Sequence, residues 1–532
     1  MTDLLEAVLG SADAHPEAAA LTFRRRTLTY GELARRIRSV SSALGAHGLA
    51  DGDRVLFSVR PGPDAVVLAL GIVHARGTVV FADPGAGEAL FRARAALAAP
   101  RWVAAESLLY LASSGPLRPL ARRRGLELAP YSRLVPEARH IHAGSWLPGV
   151  PVGSVSLRSL QRDAGRASVD APAPVGATTP GATTLGDPDQ EALIIFTSGT
   201  TQAPKAVVHT RSSLGAGFGD FAAALALESG QRVLTDQLMI GVPALIAGAH
   251  WTMPDPGLDP GARPGQYLEH LPETDVLFAS PAALDAFLRA LDAEPHRTPR
   301  LATLALGGAP VLPPLLSRAR ARFPAARIRS VYGMTEILPV AIADGDDKLG
   351  YSAAGGEGDL VGQVMSSVRV RIDDGELVLS GEGLAKGYLT DLPHAPLAEV
   401  RTGDLARLDG ERLVLLGRRK DMLIRGTQNV YPGLYEPLIA QLPGVVDAVM
   451  VGVPDGIGDD RIVVAVVPAK GAPEAPTRDH PVAASVARAL PGLSDAGVLP
   501  DAVVAIAGLP RSGRAQKPDR AALVTLLSEM VA

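Results

Sequence analysis

The densest chemistry in the chain lies in Leu193 to Val208, LIIFTSGTTQAPKAVV, where an apolar strand pattern runs into Thr197, Ser198, Gly199, Thr200 and Thr201, then Lys205, then a β-branched run. Small hydroxyls and backbone N–H groups in such a turn can wrap a polyphosphate, and Lys205 can neutralise its charge. It is not a Walker loop. The G-x-x-x-x-G-K-[ST] order is absent, and strand-like Val207 and Val208 follow where a helix N-terminus would be needed. The plain alternative is a polar surface hairpin.

Four further segments carry candidate groups. Leu306 to Pro310, LGGAP, reads as a strand ending in a tight turn. Val331 to Glu336, VYGMTE, gathers an aromatic ring, a glycine, a hydroxyl and a carboxylate, a set suited to a nucleotide pocket with a magnesium-binding acid. Thr402 to Asp404, TGD, is a turn by composition, where an aspartate usually acts as a cap. Gly417 to Pro432, GRRKDMLIRGTQNVYP, pairs a basic turn with a following strand, for which a solvated basic face is the default explanation.

Rigid elements must position these groups. Thr29 can cap a helix with Glu32 reaching back, Leu33, Ile37, Val40 and Leu44 form its apolar stripe, and Gly48 stops it. Val55 to Val59 reads as a strand and Ala65 to Leu70 as the next apolar element, the spacing of alternating β and α units. Further strands are predicted at Leu193–Phe196, Val233–Leu234, Leu301–Leu306, Val368–Ile372 and Leu377–Leu379. Ala171 to Gln190, rich in Pro, Gly and Thr, reads as a loop or linker. After Lys420 the chain has its own strands, Ala448–Val453 and Ile462–Val467, then helical patterns, which predicts a second α+β domain of roughly a hundred residues.

Composition bounds the classes. At ~150 residues per domain, 532 residues allow several folding units. With 47% hydrophobic and 20% charged residues the chain is globular, and Lys+Arg 52 against Asp+Glu 56 leaves no broad basic field for a nucleic acid. There is no cysteine, which removes disulfides, cysteine-bound metals and thiol nucleophiles. The N-terminal stretch has acidic residues where a secretory signal needs basic ones, and the run Ala65 to Phe81 is broken by His74 and Arg76. A cytoplasmic protein with no membrane span is expected.

In their order and separation, the five segments resemble the adenylate-forming superfamily of acyl-CoA synthetases, nonribosomal-peptide adenylation domains and luciferases, from about Thr29 to Leu523. The terminal LPRSGRAQKPDRAAL, Leu509 to Leu523, is similar to that family's K-x-D-R-x-x-L signature. The resemblance implies an α/β fold with a large multi-subdomain N-terminal core, residues 1–420, and a smaller mobile C-terminal α+β domain, residues 421–532, hinged near Asp421. It implies that Thr197, Ser198, Gly199, Thr200, Thr201 and Lys205 handle the β- and γ-phosphates of ATP. Gly308, Ala309 and Pro310 would line the adenine with Tyr332 stacking on it, and Gly333 would belong to the same nucleotide-binding set. Thr335 would meet the α-phosphate and Glu336 the Mg²⁺. Asp404, aided by Arg418, would hold the ribose, and Lys517 would bridge the acyl carboxylate and α-phosphate. The implied reaction converts a hydrophobic carboxylic acid and ATP to acyl-AMP, then transfers the acyl group to CoA, with an acyl carrier protein as another acceptor.

The chain departs from the family pattern at Gln202 and Ala206, where glycines are usual, at Thr427, and at Arg514-Ala515-Gln516. The side chains of Gln202 and Ala206 predict a phosphate loop with less φ/ψ freedom, and Thr427, where relatives have a glycine that helps the pantetheine tunnel, predicts a hindered path for CoA. Phe81 to Gly87, FADPGAG, and Tyr332 to Ala341, YGMTEILPVA, look like β-lactone synthetases of olefin biosynthesis, whereas Gly417 to Pro437 is more like CoA ligases. Two alternatives therefore stand beside the ligase: a lactone former in which the hydroxyl of a β-hydroxy acid displaces AMP, and a thioesterifying or binding partner with weakened adenylation. The acyl pocket is expected from Asp236 to Trp251, Gly307 to Pro310 and the residues after Tyr332, with Met239, Ile240 and Trp251 giving it apolar character, although ordinary core would account for the same three residues equally well.

Overall fold

The computed structural model describes residues 3–82, 88–114, 117–119, 128–161, 185–196, 205–255, 258, 263–392, 395–421, 423–425, 428–430, 432–454, 460–490, 499–512 and 517–531. Mixed α/β architecture holds throughout, built on two large sheets and a small one near the C-terminus. In the eight-stranded sheet, Glu191–Phe196, Thr78–Phe81, Arg54–Ser58, Trp102–Glu106 and Arg139–Ala143 run parallel side by side. Parallel strands are covered on both faces and read as near-continuous apolar runs. Val55 to Phe57 and Ala192 to Ile194 are such runs, and all six residues are buried. At one edge Ala206–Thr210 returns antiparallel to Glu191–Phe196, and the short strand Gly387–Tyr388 pairs outside it.

The thirteen-stranded sheet has a parallel centre, Arg232–Leu234, Val276–Ala279, Thr303–Gly307 and Arg327–Met334. It turns antiparallel through Ile337–Asp344, Asp359–Val364, Arg412–Arg418 and Val400–Asp409. Between the sheets the helix Arg211–Ala224 starts from Thr210, whose side chain accepts from the Ser213 N–H while Ser213 reaches back. This helix lies against Ile337–Asp344 so closely that a Cβ on Gly217 would stand 2.5 Å from the Leu338 carbonyl oxygen. Its first residue, Arg211, is buried and paired at 2.7 Å with buried Asp3, the N-cap of the helix Leu4–Ala14.

The predicted helix after Thr29 is Tyr30–Ala46, with both capping-box bonds formed, the four stripe residues buried, and Gly48 following at φ +83°. Beyond Gly444, Val445–Pro454, Asp460–Pro468 and Ala502–Ala505 form a three-stranded sheet containing the predicted strands. Pro481–Ala489 covers one face and Arg520–Val531 the other, each over its own apolar cluster. Of the predicted linker, residues 171–184 lie outside the described residues, and 187–190 form a turn closed by the Gln190 N–H on the Asp187 carbonyl.

Candidate active site

Thr197, Ser198, Gly199, Thr200, Thr201 and Gln202 lie outside the described residues, but the strands on both sides of their loop do not. Phe196 pairs with Ala206 across the antiparallel ladder, so the loop springs from a closed base with Lys205 at its exit. The expected cost of Ala206 is corrected here. Ala206 is a buried strand residue whose methyl packs in the core and restricts no turn.

The strand Gly387–Tyr388 ties that base to the VYGMTE segment. The Lys386 and Leu389 N–H groups donate to the carbonyls of Val208 and Ala206, both at 2.8 Å, and the Ala385 N–H donates to the Glu336 carbonyl at 2.8 Å. Tyr388 follows: its hydroxyl donates to Glu336 Oε1 at 2.8 Å, and Lys205 Nζ lies 5.5 Å from its ring centroid. Burial, then the Glu336 carboxylate, pushes the Tyr388 hydroxyl well above its ordinary range, so it stays a donor. Sequence reasoning missed Tyr388. The available signal was the Gly-Tyr pair in GLAKGYL, next to Lys386 in a chain with few lysines.

Glu336 is buried, and among the described residues no group of three His, Cys, Asp or Glu side chains could hold a metal. A single carboxylate fits a magnesium ion carried on substrate phosphates better than a resident metal. Next to it, the Thr335 carbonyl accepts from Nε2 of fully buried His209 at 2.8 Å. Burial lowers the His209 pKa to about 4 against the pull of that bond, so the ring is neutral and Nε2–H is the donor.

A second group forms on the thirteen-stranded sheet. The Tyr332 hydroxyl donates to Asp404 Oδ2 at 2.6 Å, and Arg418 Nε sits 2.8 Å from Asp404 Oδ1. Burial and the Asp404 charge push the Tyr332 hydroxyl far upward. The reading of TGD as a turn is corrected: it lies in the strand Val400–Asp409, kinked at Gly403, φ +72°, with Asp404 opposite Arg418. The composition misled because the bend is a strand irregularity, in which Glu376 accepts the Gly403 N–H. A pocket lined by Thr402, Gly403, Arg418 and Arg419 opens there. Gly307 pairs with Val331, which sets Gly308, Ala309 and Pro310 beside Tyr332 and Gly333, and Gly308 takes φ +83° with open space where a Cβ would be.

Asp421 ends the short helix Arg419–Asp421. Arg419 is tied to Glu376 and Asp374 of the large sheet at 3.0 and 2.8 Å, while Asp421 meets Arg520 of the C-terminal helix at 3.5 Å. Lys517 is exposed in a small hairpin, paired with Ser512. Thr427, Arg514, Ala515, Gln516 and Asp83 to Gly87 lie outside the described residues. Of the two readings open for Trp251, the structure shows core: it is fully buried, donates Nε1–H to the Thr235 carbonyl, and fills the space beside Gly241.

The model of the AMP-binding enzyme family matches residues 10–389. The chain belongs to that family. It is 28% identical over 472 residues to an olefin beta-lactone synthetase of Xanthomonas campestris pv. campestris, covering 80% of this chain and 78% of the relative. It is 27% identical over 491 residues to a feruloyl-CoA synthase of an Amycolatopsis species, covering 86% and 87%. The ATP-bound structure of MatB from Rhodopseudomonas palustris superposes with a TM-score of 0.76 at 22% identity, covering 100% of both chains. This AMP-binding chain is thus an adenylate-forming enzyme with the mixed α/β fold that its sequence implied. Among its described residues no helix is long and apolar enough to cross a membrane.

Proposed function

We propose that the protein is an AMP-forming acyl-CoA ligase for a hydrophobic carboxylic acid. The observation that carries this reading is the linkage of Lys205, Tyr388 and Glu336, with Tyr332, Asp404 and Arg418 on the neighbouring strands: a cation and a carboxylate for a phosphate–magnesium group, and a ring with a second carboxylate for a nucleoside. Thr197 to Thr201 and Lys205 hold the β- and γ-phosphates. Gly308, Ala309, Pro310, Tyr332 and Gly333 line the adenine, and Asp404, already oriented by Tyr332 and Arg418, takes the ribose hydroxyls through its remaining lone pairs. Thr335 meets the α-phosphate. Bound Mg²⁺, held by Glu336, would neutralise charge building on the phosphates.

In the first half-reaction a carboxylate oxygen of the acid bonds to the α-phosphorus as the bond to the β-phosphate oxygen breaks, giving acyl-AMP and pyrophosphate. Two anions must meet, and Lys517, carried in by the C-terminal unit, offsets their repulsion. In the second, the CoA sulfur bonds to the acyl carbon, AMP leaves with the bonding pair, and the thiol proton passes to solvent. The two sets of ion pairs flanking Arg419–Asp421 support a pivot there, with a boundary between residues 420 and 421. The first half is tested by acid-dependent exchange of labelled pyrophosphate into ATP. Exchange that rises with a hydrophobic acid supports the reading, and none with any acid of a broad panel overturns it.

A second reading, lactone formation from a β-hydroxy acid, is favoured by the similarity to the Xanthomonas campestris synthetase over 80% of the chain. It shares the first half-reaction and differs in the group that displaces AMP.

A further inference from the structure

We infer that Tyr388 is a positioning residue that keeps the lysine and the carboxylate of the site apart and ready. This rests on the ATP reading above. Lys205 and Glu336 are opposite charges in one neighbourhood, and direct pairing would consume both before any phosphate arrived. Tyr388 stands between them. Its ring face takes the Lys205 ammonium at 5.5 Å, within cation–π range, and its hydroxyl takes Glu336 Oε1 at 2.8 Å. Among the described residues it is the one hydrogen-bond donor to that carboxylate side chain. The ring cannot drift, because Gly387 and Tyr388 are laddered to Val208 and Val207, the Lys386 and Leu389 amides are bonded on either side, and Ala385 is bonded to the Glu336 backbone.

Chemically the arrangement is asymmetric. An exposed cation–π contact is weak, so the polyphosphate can draw Lys205 off the ring with little loss. The hydroxyl bond to a carboxylate is stronger and persists, fixing one oxygen so that the other is presented to the metal. The hydroxyl thus acts on metal use and the ring on phosphate affinity.

The test is calorimetric titration of ATP without any acid substrate, in EDTA and in Mg²⁺, for wild type, Tyr388→Phe and Tyr388→Leu, and for Glu336→Gln with and without Tyr388→Phe. Tyr388→Phe keeps the ring: its affinity in EDTA should match wild type, while the tightening produced by Mg²⁺ should shrink about tenfold, the scale of one charge-assisted bond. In the Glu336→Gln background the Phe change should have no further effect. Tyr388→Leu should also lose a few-fold affinity in EDTA, as Lys205 falls onto Glu336. Equal Mg²⁺ tightening in wild type and Tyr388→Phe would overturn the inference, as would an undiminished Phe effect without Glu336. Wild type that binds no ATP would instead overturn the nucleotide reading. Should Tyr388→Leu not fold, Tyr388→Phe and the Glu336 cycle still decide the matter.

Discussion

Asp404 shows how a single carboxylate is prepared for its task. Both oxygens already accept a strong donor, Tyr332 at 2.6 Å and Arg418 at 2.8 Å, so the group is held rigid before a ribose adds to it. Asp404→Ala is expected to weaken ATP binding at least tenfold, the loss of charge-assisted bonds of ~1.5–3 kcal/mol. Calorimetry checks it, and an unchanged dissociation constant would remove Asp404 from the ribose role. Asp404, Glu336 and Lys205 could be singled out as candidates from the sequence because each sits in a compact motif that the family resemblance can locate. Tyr388 was not, since its role comes from strand pairing to Val207 and a bond to Glu336 far away in the chain, and a lone Gly-Tyr carries little signal. Trp251 was left open between pocket and core for the complementary reason: apolar residues look alike whether they face a ligand or a neighbouring helix, and the structure places it in the core.

At the scale of elements, the helix Arg211–Ala224 is the brace of the site, and its start is fixed by a buried ion pair. Asp3→Ala would leave Arg211 uncompensated and strip the cap from Leu4–Ala14, so a loss of about 3–5 kcal/mol is expected in denaturant titrations. Asp3→Asn, which retains a capping oxygen, should lose less. Equal stability of Asp3→Ala and wild type would contradict this view of the brace. The strand before the helix carries His209, whose pKa is lowered to about 4 from 6.5. Between these values the unfolded chain takes a proton that the folded one refuses, so this contribution is full above 6.5 and is lost as pH falls towards 4. His140, also lowered to about 4 by burial, adds in the same window. Urea midpoints followed from pH 7 to 4 should fall in wild type and fall less in His209→Asn, and parallel curves would refute the assignment. Local patterning made the capping box at Thr29 and strands such as Arg54–Ser58, Glu191–Phe196 and Thr303–Gly307 readable. The kink at Gly403 was not, because it is set by Glu376 on a neighbouring strand.

For the whole molecule, the sequence foretold a large α/β body and a small α+β unit because the chain after Lys420 has its own strands followed by helical patterns, and Val445–Pro454, Asp460–Pro468 and Ala502–Ala505 do form a sheet of their own. The pairing of strands from distant parts of the chain into a thirteen-stranded sheet had no local signal. On the proposed reading the small unit delivers Lys517 for one half-reaction and withdraws it for the other. Lys517→Ala should lose acyl-AMP formation by orders of magnitude yet still convert supplied acyl-AMP and CoA to thioester. Unimpaired adenylation would contradict the bridging role. The most direct measurement is mass spectrometry of the products formed from ATP, Mg²⁺ and a panel of fatty, aromatic and β-hydroxy acids, with and without CoA. An acyl thioester and AMP appearing only with CoA is the predicted result, and loss of water from a β-hydroxy acid without CoA, with no thioester from any acid, would contradict it.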